Sequence, residues 1–109
     1  MATWVLLAMA IVAEVTATTS LKLSDGFTKL GPIAVVLVGY LMSFVLLARI
    51  LARGTSLGVV YAIWSAIGVA LIVIVDAVWF GNRLTPVQAV GMILVIGGVM
   101  ALELGGSAV

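Results

Sequence analysis

The chain is 109 residues long, 65% hydrophobic and 8% charged, with a formal net charge of +1 and a mean hydropathy of +1.44. About a quarter of a water-soluble domain is charged, so this chain cannot clothe a water-facing surface, and a bilayer is its expected solvent. Five scattered basic residues make no patch for a nucleic acid, the lack of cysteine excludes disulfides and thiolate metal sites, and the lack of histidine leaves proton chemistry near neutral pH to a carboxylate or a lysine.

A membrane-spanning helix takes about 20 predominantly apolar residues, and the sequence supplies four such runs. The first is predicted over about residues 3–23, where Ser24-Asp25-Gly26 ends it and Gly26 suits a left-handed cap. It lacks a basic leader region and a cleavage signal, so it is expected to be a retained helix rather than a signal peptide. The second, about 32–52, opens with Pro32 in its first turn. The third, about 56–80, has Thr55 or Ser56 as its cap and stops at Gly81. The fourth, about 86–104, opens on Thr85-Pro86 and stops at Gly105-Gly106. These runs are too long and continuous for β-barrel strands. The prediction is an all-α membrane protein, residues 1–109 forming a single four-helix transmembrane domain. Short connections make successive helices antiparallel and put both termini on one side.

Glu14 lies midway along the first run. A charged acid at the centre of a membrane helix costs on the order of 2.5–3.5 kcal/mol on insertion scales, and such residues mark ion or proton coupling by default. The alternative is a carboxyl that stays protonated and only bonds a neighbour, a task that Ser, Thr or Gln would do more cheaply. At 3.6 residues per turn, Ala10, Ala17, Thr18 and Leu21 share the face of Glu14. The small residues admit another helix or a ligand, and Thr18 adds a hydroxyl. Burial disfavours an ionised carboxylate, and a second carboxylate alongside disfavours it further. Two copies of Glu14 meeting in a dimer would therefore exchange protons as a coupled pair. Once ionised, the same acid attracts an organic cation, and this competition is the minimum needed for antiport.

The third run carries Tyr61 and Trp64 three residues apart, with Ser65 and then Gly68. Aromatic faces attract cations most strongly when desolvated. Tyr40 and Ser43 repeat the pairing of an aromatic with a hydroxyl on the second run. Aromatics in membrane helices also serve as interfacial anchors, a role that suits Trp4 and Trp79 better than the deeper Trp64. The fourth run places Gly91 and Gly98 seven residues apart. Its small-residue face and scarcity of polar groups assign it to dimerisation. Asp76 is expected to act structurally or at the interface, or to pair with Arg83, a second proton site being the alternative. Arg49 and Arg53 fall on the side of the termini, and Lys22, Lys29 and Arg83 on the other. Orientation follows Lys/Arg asymmetry, and so even a balance leaves two outcomes: one weakly favoured topology, or dual insertion with opposite copies pairing. The second would build from two chains the inverted repeat that larger transporters carry in one.

The segments AEVTATTSLKLSDGFTKL from Ala13, GYLMSFVLLA from Gly39, VYAIWSAIG from Val60 and FGNRL from Phe80, with the glycines of the fourth run, together resemble the small multidrug resistance family, in its multidrug/proton antiporter branch. The resemblance covers nearly the whole chain. It implies an antiparallel, dual-topology homodimer in the bacterial inner membrane that exports lipophilic and quaternary ammonium cations in exchange for protons. It implies no cofactor, the proton gradient being the energy source, and no metal. By the same resemblance Glu14 is the proton- and substrate-binding acid, Thr18, Tyr40, Ser43, Tyr61 and Trp64 line the substrate, Gly91 and Gly98 pack the dimer, and Gly68 is a close-packing or bending position. Guanidinium exporters of the family carry Trp three residues after the acid. Ala17 stands there, which favours the multidrug branch and is expected to leave room for bulky cations. Ser56 replaces the usual proline before the third helix, Ala66 a common glycine, and Asp76 a neutral residue. A guanidinium-type small-cation exporter and a non-transporting membrane partner subunit are the alternatives. No nucleophile–base pair, metal cluster or phosphate loop points to an enzyme.

Overall fold

The computed structural model describes residues 2–105, and it is built of four helices: α1 (Thr3–Leu23), α2 (Leu30–Ala52), α3 (Leu57–Trp79) and α4 (Pro86–Gly105). All four are long and apolar enough to cross a membrane, and no strand occurs among the described residues. Helices meet this solvent's demand because each satisfies its own backbone polar groups. α1 and α2 form one compact unit, and α3 and α4 a second.

In the first unit, Arg53 donates to the Thr3 hydroxyl at 3.2 Å, Gly39 lies against Ala17, and Tyr40 meets Thr18. Residue numbers rise on one helix as they fall on the other, so α1 and α2 are antiparallel. The buried stripe of α1 includes Leu6, Leu7, Ala10, Ile11 and Ala17, and that of α2 is Val36, Ser43 and Ile50, repeating every seven residues.

The turn between them is more elaborate than a single glycine cap. Asp25, Gly26 and Phe27 have φ of 51°, 72° and 69°, three consecutive residues in a region that only glycine enters freely. Ser24 holds the turn. It is fully buried, donates its hydroxyl to the Leu21 carbonyl at 2.7 Å and accepts the Phe27 N–H at 3.1 Å. Its carbonyl accepts the N–H groups of Thr28 and Lys29. Lys29 is the N-cap of α2, and the helix begins at Leu30 rather than Pro32. Pro32 still falls in the first turn, where its missing N–H leaves no helical bond unmade.

In the second unit, the Ser56 side chain caps α3 by accepting the Val59 N–H. Phe80 closes the helix and Gly81 follows at φ 74°. Beyond it, Asn82 binds Asp76 twice, its N–H to the carbonyl at 3.1 Å and its amide to the carboxylate at 2.8 Å. α4 opens with a reciprocal capping box: the Thr85 hydroxyl accepts the Gln88 N–H at 3.1 Å, and the Gln88 side chain accepts the Thr85 N–H at 3.0 Å. The start of α3 and the end of α4 line one groove, through Ser56, Gly58, Val59, Ala101, Leu102 and Gly105. Of the expected stop at Gly105-Gly106, Gly106 lies outside the described residues. No residue of α4 is buried.

Candidate functional site

Glu14 lies near the midpoint of α1 and is half-buried. Helical spacing puts Thr18 one turn beyond it, and the Thr18 hydroxyl donates to a Glu14 carboxylate oxygen at 3.2 Å. The same hydroxyl lies 2.8 Å from the hydroxyl of Tyr40 on α2. A threonine hydroxyl carries one hydrogen. With that hydrogen on Glu14, the Tyr40 hydroxyl is the donor to Thr18. The result is a directed chain, Tyr40 to Thr18 to Glu14, from one helix to the other. Two residues earlier, Thr16 behaves as isolated helical threonines do and donates to the carbonyl of Val12 at 2.8 Å.

Ser43 extends the cluster along α2. It is fully buried, and its hydroxyl donates to the Tyr40 carbonyl at 2.8 Å. The Tyr40 ring stacks on Phe44 at a centroid distance of 6.2 Å. The structure thus brings together four of the expected site residues: Glu14, Thr18, Tyr40 and Ser43. Tyr61, Trp64 and Gly68 belong to α3 in the second unit. Tyr61 is exposed, Trp64 half-buried and Gly68 buried. Gly91 and Gly98 lie on α4, and a Cβ added at either would meet nothing within 4 Å.

Two features differ from the sequence expectation. Ala17 does not open space beside the acid: it is 0% exposed and lies under α2. Gly39, which the sequence offered only as the first residue of a motif, is the residue it lies against. A Cβ built on Gly39 would stand 2.8 Å from the Ala17 Cβ and 2.9 Å from the Ala13 carbonyl oxygen. The alanines of α1 at positions 13 and 17, four apart, were the available signal, since a small-residue pair at that spacing admits a close helix.

A carboxylate at mid-helix, bonded by the Thr18 hydroxyl, can hold a proton or face a cation. Comparison with known proteins identifies the family. The sequence profile of the Small Multidrug Resistance protein family matches residues 2–95. The chain belongs to the small multidrug resistance family.

Individual members bear this out across nearly their full lengths. The chain is 46% identical to the multidrug resistance protein mmr of Mycolicibacterium paratuberculosis over 96% of its own length and 98% of the relative's. It is 45% identical to the quaternary ammonium compound-resistance protein QacE of Escherichia coli, over 93% and 91%. A multidrug transporter of Pseudomonas aeruginosa is 43% identical over 95% and 94%. As a small multidrug resistance protein with four spanning helices, the chain is a multi-pass protein of the bacterial inner membrane and a member of a multidrug efflux transporter family.

Proposed function

We propose that the protein is a proton-coupled antiporter that exports lipophilic and quaternary ammonium cations, and that protons and substrate compete for Glu14. The observation that carries this reading is the placement of the only charged group within the interior of α1 beside a hydroxyl cluster, where Thr18 donates to its carboxylate and Tyr40 bonds Thr18. Neither hydroxyl neutralises the acid, so its charge is left for a mobile partner. The relatives named for multidrug and quaternary ammonium resistance support a cationic, hydrophobic substrate.

The working unit in this proposal is an antiparallel homodimer. The near balance of basic residues between the two sides supports dual insertion, and the open glycine face of α4 supports that helix as the seam. Two copies of Glu14 then share one chamber. Protons entering from outside neutralise the pair, and the dimer changes its facing. A cation taken from the cytoplasmic side replaces the protons and leaves when protons return. The two facings are equivalent by symmetry, so little energy separates them, and the gradient alone sets direction. Tyr61 and Trp64 supply aromatic faces for the cation.

Ala17 favours the multidrug reading over a guanidinium exporter. Its methyl group is enclosed against Gly39, so a tryptophan there is incompatible with this spacing of α1 and α2. The direct test is transport in liposomes under an imposed pH gradient. Wild-type protein is expected to move tetraphenylphosphonium against the proton flow, and Glu14→Gln to move none. Coupled transport by Glu14→Gln would refute the mechanism.

A further inference from the structure

The close approach of Gly39 to Ala17 and the Tyr40–Thr18 bond are one residue apart on each helix. Gly39 touches Ala17, and Tyr40 reaches Thr18. With a methyl group on Gly39, one neighbour at 2.8 Å would be the Ala17 Cβ and another, at 2.9 Å, the Ala13 carbonyl oxygen. The second is main chain and cannot rotate aside. Carbon atoms rest about 3.5–4.0 Å apart, so the helices would have to part by roughly 0.7 Å. A hydroxyl–hydroxyl bond spans about 2.5–3.0 Å, and the 2.8 Å link between Tyr40 and Thr18 would not survive such a displacement.

What that link does is visible in the contrast between two threonines of one helix. Thr16 donates to the carbonyl four residues back. Thr18 has the equivalent carbonyl available but turns its hydrogen to the Glu14 side chain, with the Tyr40 hydroxyl on its other side. We propose that Gly39 is a positioning residue of the Glu14 site: its missing side chain seats α2 closely enough for Tyr40 to hold the Thr18 hydroxyl on the carboxylate rather than on the helix backbone. The proposal rests on Glu14 being the cation site.

The test is a double-mutant cycle on the full chain in detergent micelles. Tetraphenylphosphonium binding is measured calorimetrically for wild type, Gly39→Ala, Tyr40→Phe and the double variant, and the Cζ resonance of Tyr40 is followed by carbon NMR. Gly39→Ala is expected to weaken binding about tenfold in the wild-type background and less than about twofold once the Tyr40 hydroxyl is gone, since residues that act through one contact are not additive. The Tyr40 resonance should shift in Gly39→Ala as its hydroxyl loses Thr18. Equal losses in both backgrounds, or undiminished binding with an unmoved resonance, would overturn the role of Gly39. If Gly39→Ala does not assemble, its combination with Ala17→Gly removes the methyl–methyl contact but keeps the new methyl against the Ala13 carbonyl oxygen, so the helices still part and the same cycle applies. Absence of binding by the wild-type chain would instead overturn the assignment of Glu14 itself, so the two failures are distinct.

Discussion

Thr18 donates its hydroxyl to Glu14 across one turn of α1, at 3.2 Å. In the proposed mechanism this carboxylate is the group that receives the cation, and the Thr18 hydroxyl helps to hold it in place. A hydrogen bond to a charged group contributes about 1.5–3 kcal/mol. Thr18→Val keeps the shape and removes the donor, and is expected to weaken cation binding about tenfold or more. Thr18→Ser keeps the donor and should stay within about threefold of wild type. Equilibrium titration with tetraphenylphosphonium measures both.

Trp64 is half-buried on α3, a position where an indole face is partly shielded from solvent. Cation–aromatic attraction is worth about 0.5–2 kcal/mol. Trp64→Ala is therefore expected to weaken tetraphenylphosphonium several-fold while changing tetramethylammonium, which offers no ring to stack, much less. Parallel titrations of the two cations compare the losses.

Bulk at Gly98 tests the proposed dimer apart from the subunit. Among the described residues of its own unit, nothing lies within 4 Å of a Cβ placed there, so Gly98→Leu costs that unit little. It should nevertheless abolish the dimer in light scattering or cross-linking, because close helix contact in lipid needs small residues. Retained helicity with lost dimer is the expected pair of results, and Gly91→Leu should act in the same direction.

The four spans, their caps at Ser56 and Thr85 and the stop at Gly81 were legible because they depend on local chemistry: apolar length, a hydroxyl before a helix, a glycine after one. The same holds for Glu14, whose cost in an apolar helix marks it. What was not legible depends on how two helices meet. Gly39 looked like one glycine among twelve until Ala13 and Ala17 were found against it. Ala17 suggested open space, yet α2 fills it. The turn after α1 suggested one left-handed glycine. Asp25 and Phe27 enter that region as well, and Phe27 is held there by its N–H bond to the Ser24 hydroxyl. Asp76 had Arg83 as its suggested partner, while Asn82, not considered, bonds its carboxylate.

Ser24 carries the most concentrated set of turn bonds. Ser24→Ala removes the acceptor of the Phe27 N–H in a fully buried position. Phe27 is exposed, so its freed N–H can turn to water, and the cost is the net worth of the lost hydrogen bonds to the Ser24 hydroxyl, about 0.5–1.5 kcal/mol each. Denaturant unfolding in mixed micelles should show a loss of that size, while cation affinity of the remaining folded protein stays near wild type.

The proposed competition for Glu14 has one consequence that no structural role for the acid can imitate. Purified protein in weakly buffered solution, titrated with tetraphenylphosphonium while free protons are counted in the same sample, should release protons as the cation binds. Apparent affinity should fall as the pH is lowered, and both effects should vanish in Glu14→Gln. Cation binding without proton release and with no dependence on pH would contradict the account.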